Sequence, residues 1–215
     1  MQSKLDGLWG WLGQWSPIAF LVTGTGFLLA LALLVVDTVA TVNVPEMAIA
    51  VFTVPSSLAL LLVGLPGFYP FVAEGSPRLA LGGGVVATIG GAAIAVTIPG
   101  KVALHALGII GFTEEGPLLA GFFIVTLALF LSVLLYGVAS LTSGEPSRIV
   151  GLLLLVIVLE PATVLLNDVI GVDVGIVIAF LTLGIAGTAF LAVGYSLRTE
   201  SATDRQMEPT PDSVA

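Results

Sequence analysis

The chain has 215 residues, 57% hydrophobic and 9% charged, with a net charge of −8. A soluble domain carries about 25% charged residues, so the composition excludes an ordinary water-exposed surface. The acidity excludes nucleic acid as a partner and tight docking onto anionic lipid, and it suits the high-salt cytoplasm of a halophile. The absence of cysteine removes disulfides, thiolate metal sites and cysteine nucleophiles.

A helix needs about 20 mainly apolar residues to cross ~30 Å of hydrocarbon. Residues 1–16 precede any such run. There Leu5, Leu8, Trp9 and Leu12 recur at helical spacing, flanked by Trp11 and Trp15. Tryptophan favours the membrane interface, so this segment is expected to be a short amphipathic interfacial helix ending at Ser16-Pro17. The charge-free run 17–36 is the first span; it exceeds the 7–15 residue core of a cleaved signal peptide and is expected to be retained. The second span, 47–66, contains Pro55. The third, 79–99, carries Gly83, Ala87, Gly91 and Ala95 at four-residue steps, beside Ala80, Gly84, Thr88 and Ala92. Small residues let membrane helices approach closely, which predicts a packing face and a place for this span at the bundle centre.

Residues 100–116 form an apolar loop with Lys101 and the chain's one histidine, His105. Within it, 102–110 is expected to be a surface helix or a re-entrant segment, and Thr113-Glu114-Glu115-Gly116-Pro117 to open the next helix. The fourth span, 117–141, places Ser132, Tyr136 and Ser140 on one face, a spacing suited to interhelical hydrogen bonds. The fifth, 149–170, holds Glu160 and Asp168, and the sixth is 174–197. Residues 199–215 are polar and acidic and are expected to be a disordered tail. Barrel strands would alternate apolar and polar over ~10 residues; these runs are continuous. The fold class is therefore all-α: a polytopic integral membrane bundle of six transmembrane helices.

Basic residues orient it. With the N-terminus inside, Lys4, Arg78, Arg148, Arg198 and Arg205 are cytoplasmic and only Lys101 is outside. Under the positive-inside rule this predicts the cytoplasmic membrane with both termini in the cytoplasm. A faint duplication of three spans plus three pairs Pro55 with Pro161, Ser57 with Thr163 and Leu60 with Leu166; its halves would be inverted in the membrane.

Glu160 is the main candidate for chemistry. An acidic side chain at the middle of a span costs about 2.5–3.5 kcal/mol, so it faces the bundle or a wet cavity and is functional by default. Regular helical counting puts Thr163, Asn167 and Asp168 in a polar stripe running from it to the outer surface. Pro161 leaves the Ile157 carbonyl without its helical donor, and Pro55 does the same to Val51, where Thr53, Ser56 and Ser57 could serve the freed groups. Interrupted helices of this kind build ion sites in transporters.

Asp37 reads as a boundary residue. A lone histidine lacks the partners a metal site needs, and no zinc, nucleophile-elbow or phosphate-loop motif is present. Neither an enzyme nor a cofactor is expected. The preferred function is proton- or cation-coupled transport or binding through Glu160. The alternative is a non-catalytic membrane subunit or scaffold, assembling as a homo-oligomer or on another membrane protein; in both cases the lipid bilayer is the first partner.

Overall fold

A computed structural model describes residues 2–40, 46–108, 119–171 and 175–207. Every regular element among them is helical. In chain order they are α1 (Gln2–Ala40), α2 (Glu46–Ala59), a π turn (Leu60–Gly64), α3 (Leu65–Val72), α4 (Pro77–Ala106), α5 (Leu119–Ser143), α6 (Arg148–Ile157), α7 (Leu159–Val164), a second π turn (Leu165–Val169) and α8 (Ile176–Met207). Six stretches are long and apolar enough to cross a membrane: Trp9–Val39, Val51–Val72, Pro77–Leu104, Ala120–Ser143, Arg148–Asn167 and Ile176–Thr199. The second runs from α2 through α3, and the fifth from α6 into the second π turn.

Neighbouring spans run antiparallel. A Cβ on Gly24 of α1 would lie 2.6 Å from the Gly187 carbonyl oxygen of α8, and one on Gly194 would lie 2.8 Å from Leu21; as one helix ascends the other descends. The same reversal joins α4 to α5, where Gly83 faces Tyr136 and Gly90 faces Ala128, and α5 to α6, where Gly137 faces Leu155 and Gly151 faces Leu141. Each span packs on the next, and α8 closes the series against α1. Inside this ring α3 also packs across onto α5. There Phe20, Phe68, Tyr136 and Phe190 are fully buried, with ring centroids 5.2 Å apart for Phe68–Tyr136 and 6.0 Å for both Phe20–Phe68 and Phe20–Phe190. This aromatic core occupies the half of the bundle where α1 begins and α8 ends, called the terminal half below. Leu81, Val85 and Ile89 of α4 and Ile176, Val177, Ile178 and Leu181 of α8 point outward. No more than 44% of any spanning window is buried, so the outer surface is itself apolar.

Several expectations need correction. No separate interfacial helix precedes the first span, because α1 runs unbroken through Pro17. The proline forfeits one bond to the Gly13 carbonyl, and packing on both sides carries the helix through. Leu12, Ser16, Ala19 and Phe20 are buried, and Ser16 Oγ donates to the Gly64 carbonyl at 2.7 Å. Likewise α4 continues past Pro99 to Ala106, so the first part of the segment expected as a surface or re-entrant helix is an extension of the third span. Residues 109–118, with the helix start expected at Thr113–Pro117, lie outside the described residues.

The tail begins later than expected. α8 is helical to Met207, since no proline or glycine stands between Gly194 and Pro209; residues 208–215 lie outside the described ones. The third span is not central either, for it packs only on the second and fourth and turns a full apolar face outward. Its small residues do not stay on one face: Gly83, Ala87 and Gly91 are buried but Ala95 is exposed, and Ala80 and Gly84 are buried but Thr88 and Ala92 are exposed. At 3.6 residues per turn, a step of four overshoots by about 40°, so three steps rotate a row ~120° around the helix.

Candidate functional site

The fifth span breaks where the sequence puts Pro161. α6 stops at Ile157, Val158 is a turn, and α7 resumes at Leu159 with Glu160 in its first turn. The break follows from the missing proline N–H, which leaves the Ile157 carbonyl without its helical donor. Pro161 is buried and Glu160 half-buried, and both line an internal cavity of about 230 Å³ in the half of the bundle away from the chain ends. All of spans one to five contribute to its wall: Phe27 from α1, Thr53 and Ser57 from α2, Ile94 and Ile98 from α4, Phe122, Thr126 and Leu129 from α5, and Val164 beside Glu160 in α7. Leu60 and Leu61 of the first π turn, with Leu129, form the floor towards the aromatic core. At ~30 Å³ per water molecule, the space admits roughly seven waters or a partly hydrated ion.

Four side-chain oxygen groups line this otherwise apolar space. Thr53 and Thr126 donate to the backbone carbonyls four residues earlier, Ile49 at 3.3 Å and Phe122 at 3.1 Å. Their donors are spent, and their lone pairs remain as acceptors. The Ser57 hydroxyl and the Glu160 carboxyl make no hydrogen bond or ion pair among the described residues. Taken together the set is one carboxyl and three hydroxyls, all hard oxygen donors, with at most a single negative charge. That suits a proton or a monovalent cation better than a divalent metal, and among the described residues no three His, Cys, Asp or Glu side chains cluster as metal ligands would. Outside the lining, the Lys101 ammonium lies 5.3 Å from the centre of the Phe122 ring.

The expected stripe is only partly assembled. Thr163 donates to the Leu159 carbonyl at 2.7 Å and does not line the cavity, and Asn167 is exposed. Asp168 sits in the second π turn; its side chain, like that of His105, lies outside the described ones. Thr163, three residues on from Glu160 and ahead of the π turn, stands about 60° round the helix from it; beyond Val164 the π turn takes in an extra residue, so counting seven residues from Glu160 no longer returns to its face. Pro55 is exposed on the outside of α2, against a shallow groove with Ile18 and Val22, and does not meet Pro161. The serine and threonine near it do not serve the freed Val51 carbonyl: Thr53 donates to Ile49 and Ser56 to Phe52 at 2.6 Å. What sequence reasoning missed is that Thr53, Ser57 and Thr126 line the same cavity as Glu160. The i, i+4 spacing of Thr53 and Ser57 was a signal for a shared face; Thr126 carried none, since nothing in one sequence says which helices are neighbours.

A second polar feature lies below the cavity floor. Ser132, Tyr136 and Ser140 are fully buried on α5. Ser132 Oγ donates to the Leu129 carbonyl at 3.2 Å, whereas the Tyr136 and Ser140 hydroxyls have no partner among the described residues, so the interhelical bonds expected of them are not made there. The Tyr136 ring packs over Gly83, and its hydroxyl oxygen would stand 3.2 Å from a Cβ on Gly84. Compared with known protein families, with curated proteins and with solved structures, the chain matches none.

Proposed function

We propose that this chain is an integral protein of the cytoplasmic membrane, with both ends inside, that binds and carries a proton or small monovalent cation through Glu160. The outward-facing apolar residues of every span support insertion, since a monomeric soluble surface rarely exposes so much contiguous apolar area. Arg78, Arg148 and Arg198 lie at the end of the bundle where the chain starts and finishes, and Lys101 lies at the other, which supports the orientation.

The observation that carries the functional proposal is the Glu160 carboxyl, without a partner among the described residues, on the wall of an internal cavity with hydroxyls from the second and fourth spans. A carboxyl kept only for structure would donate to a neighbouring helix. One that holds a mobile ion needs space and acceptors around it, and the cavity with its three hydroxyls supplies both.

The test is infrared difference spectroscopy of the Glu160 carboxyl band in proteoliposomes, with Glu160→Gln to identify the band. Its intensity is expected to change as pH is varied or as sodium or potassium is added, and the substitution is expected to abolish ion flux. A band indifferent to pH and to both cations, with flux intact in Glu160→Gln, would refute the proposal.

A further inference from the structure

The cavity is closed towards the terminal half by Leu60, Leu61 and Leu129, which meet the aromatic core. Towards the far end of the bundle its outermost lining residues are Thr53, Ile98, Phe122 and Val164, one from each of spans two to five. Phe122 has the largest side chain of the four and stands in the first turn of α5. The Lys101 ammonium lies over its ring, 5.3 Å from the centre, and is carried one turn beyond Ile98 on α4. We infer that Phe122 is the gate between the cavity and the far end of the bundle, with Lys101 positioning its ring, so that exchange with Glu160 takes place from that end. What passes rests on the role proposed for Glu160; where it passes rests on the cavity and its border alone.

The backbones around this pair are held in place and the ring is not. Thr97 is buried, and its side chain fills the place where a Cβ on Gly121 would stand. The fourth and fifth helices therefore touch directly beside Ile98 and Phe122. Phe122 itself is half-buried and stacks on no other ring among the described residues, whereas Phe68 stacks on three. A phenylalanine on a helix has two open wells, with χ1 at about 180° or about −60°. Turning from one to the other swings the ring about the Cα–Cβ bond while the helices stay still. The ammonium selects between the wells. A cation over the face of a ring is attracted by its quadrupole, which favours the position beside Lys101 by about 2- to 30-fold, the larger value where water is excluded. A bias of that size keeps the ring in place most of the time and leaves thermal opening within reach.

The chain has no cysteine, so Ser57→Cys places a single reactive thiol on the cavity wall. Full-length protein is placed in lipid nanodiscs, where both faces are open, and labelled with an anionic, membrane-impermeant methanethiosulfonate; mass spectrometry gives the rate. Phe122→Ala is expected to speed the labelling roughly tenfold or more. Lys101→Met keeps the length of the side chain and removes its charge, and is expected to speed it about 2- to 30-fold. Loss of the positive charge by itself would slow an anionic reagent, so a faster rate reports the ring. Ser132→Cys, at a fully buried position beyond the cavity floor, is expected to stay unlabelled in every background. Unchanged rates for Ser57→Cys in both variants would overturn the gate. Equal acceleration for Ser57→Cys and Ser132→Cys would overturn it too, since that marks a loosened bundle. Acceleration by Phe122→Ala alone would overturn the part given to Lys101. Labelling does not involve the carboxyl, so these outcomes hold whether or not Glu160→Gln retains flux.

Discussion

The two halves of the bundle are built from similar apolar sequence and packed in opposite ways. In the terminal half, α3 crosses to α5 and four large rings fill the space between spans one, two, four and six. In the other half Phe27 and Phe122 stand among valine, isoleucine, leucine, threonine and serine around Glu160, and a cavity remains. Protein interiors close-pack when the side chains can fill them; here the rings do not stack on one another across the bundle, and a carboxyl and three hydroxyls face the space left between them. The aromatic half holds the helices together; the other half leaves open space beside Glu160.

The sharpest way to break this contrast is Phe68→Ala. Phe68 touches the rings of Phe20, Phe71 and Tyr136 and is fully buried, so its loss is expected to destabilise the fold by about 3–5 kcal/mol. Unfolding followed by SDS titration in mixed micelles would measure it. Next in size is Glu160→Leu, with the opposite sign. An unpartnered carboxyl is replaced by an apolar side chain of similar volume, and the same assay is expected to show a gain of about 1–3 kcal/mol alongside loss of flux. The smallest effect belongs to Val125→Ala. Its methyl groups already border the cavity, so truncation enlarges an existing space and is expected to cost about 1 kcal/mol, at the low end for a core truncation. A cost equal to that of Phe68→Ala would mean that the two halves are equally packed.

Run length alone made the six spanning helices legible, because lipid-spanning length and lack of charge are local properties. Helix ends were less so. Pro17 and Pro99 read as stops, yet each removes a single hydrogen bond, and packing or continued helix-forming sequence outweighs that loss. Glu160 was legible as an anomaly of depth, and Pro161 as a break. The residues that share its cavity were not, since Thr53, Ser57 and Thr126 come from spans whose adjacency no single sequence encodes. The π turns were invisible for a similar reason: Leu60–Gly64 and Leu165–Val169 look like ordinary apolar helix. Each π turn follows its proline by four or five residues in the spans that the faint duplication would pair.

The close crossing of α1 on α8 has a consequence for assembly. The Gly24 surface is made some 160 residues before its counterpart at Gly187. At ~5–20 residues per second this is a delay of about 10–30 s. For that interval the first helix has only the second to lean on, and the ring stays open on one side. Closure by the last helix is therefore the step that commits the bundle, and a nascent chain released before α8 emerges would present an unfilled glycine seam to whatever helix lies nearest.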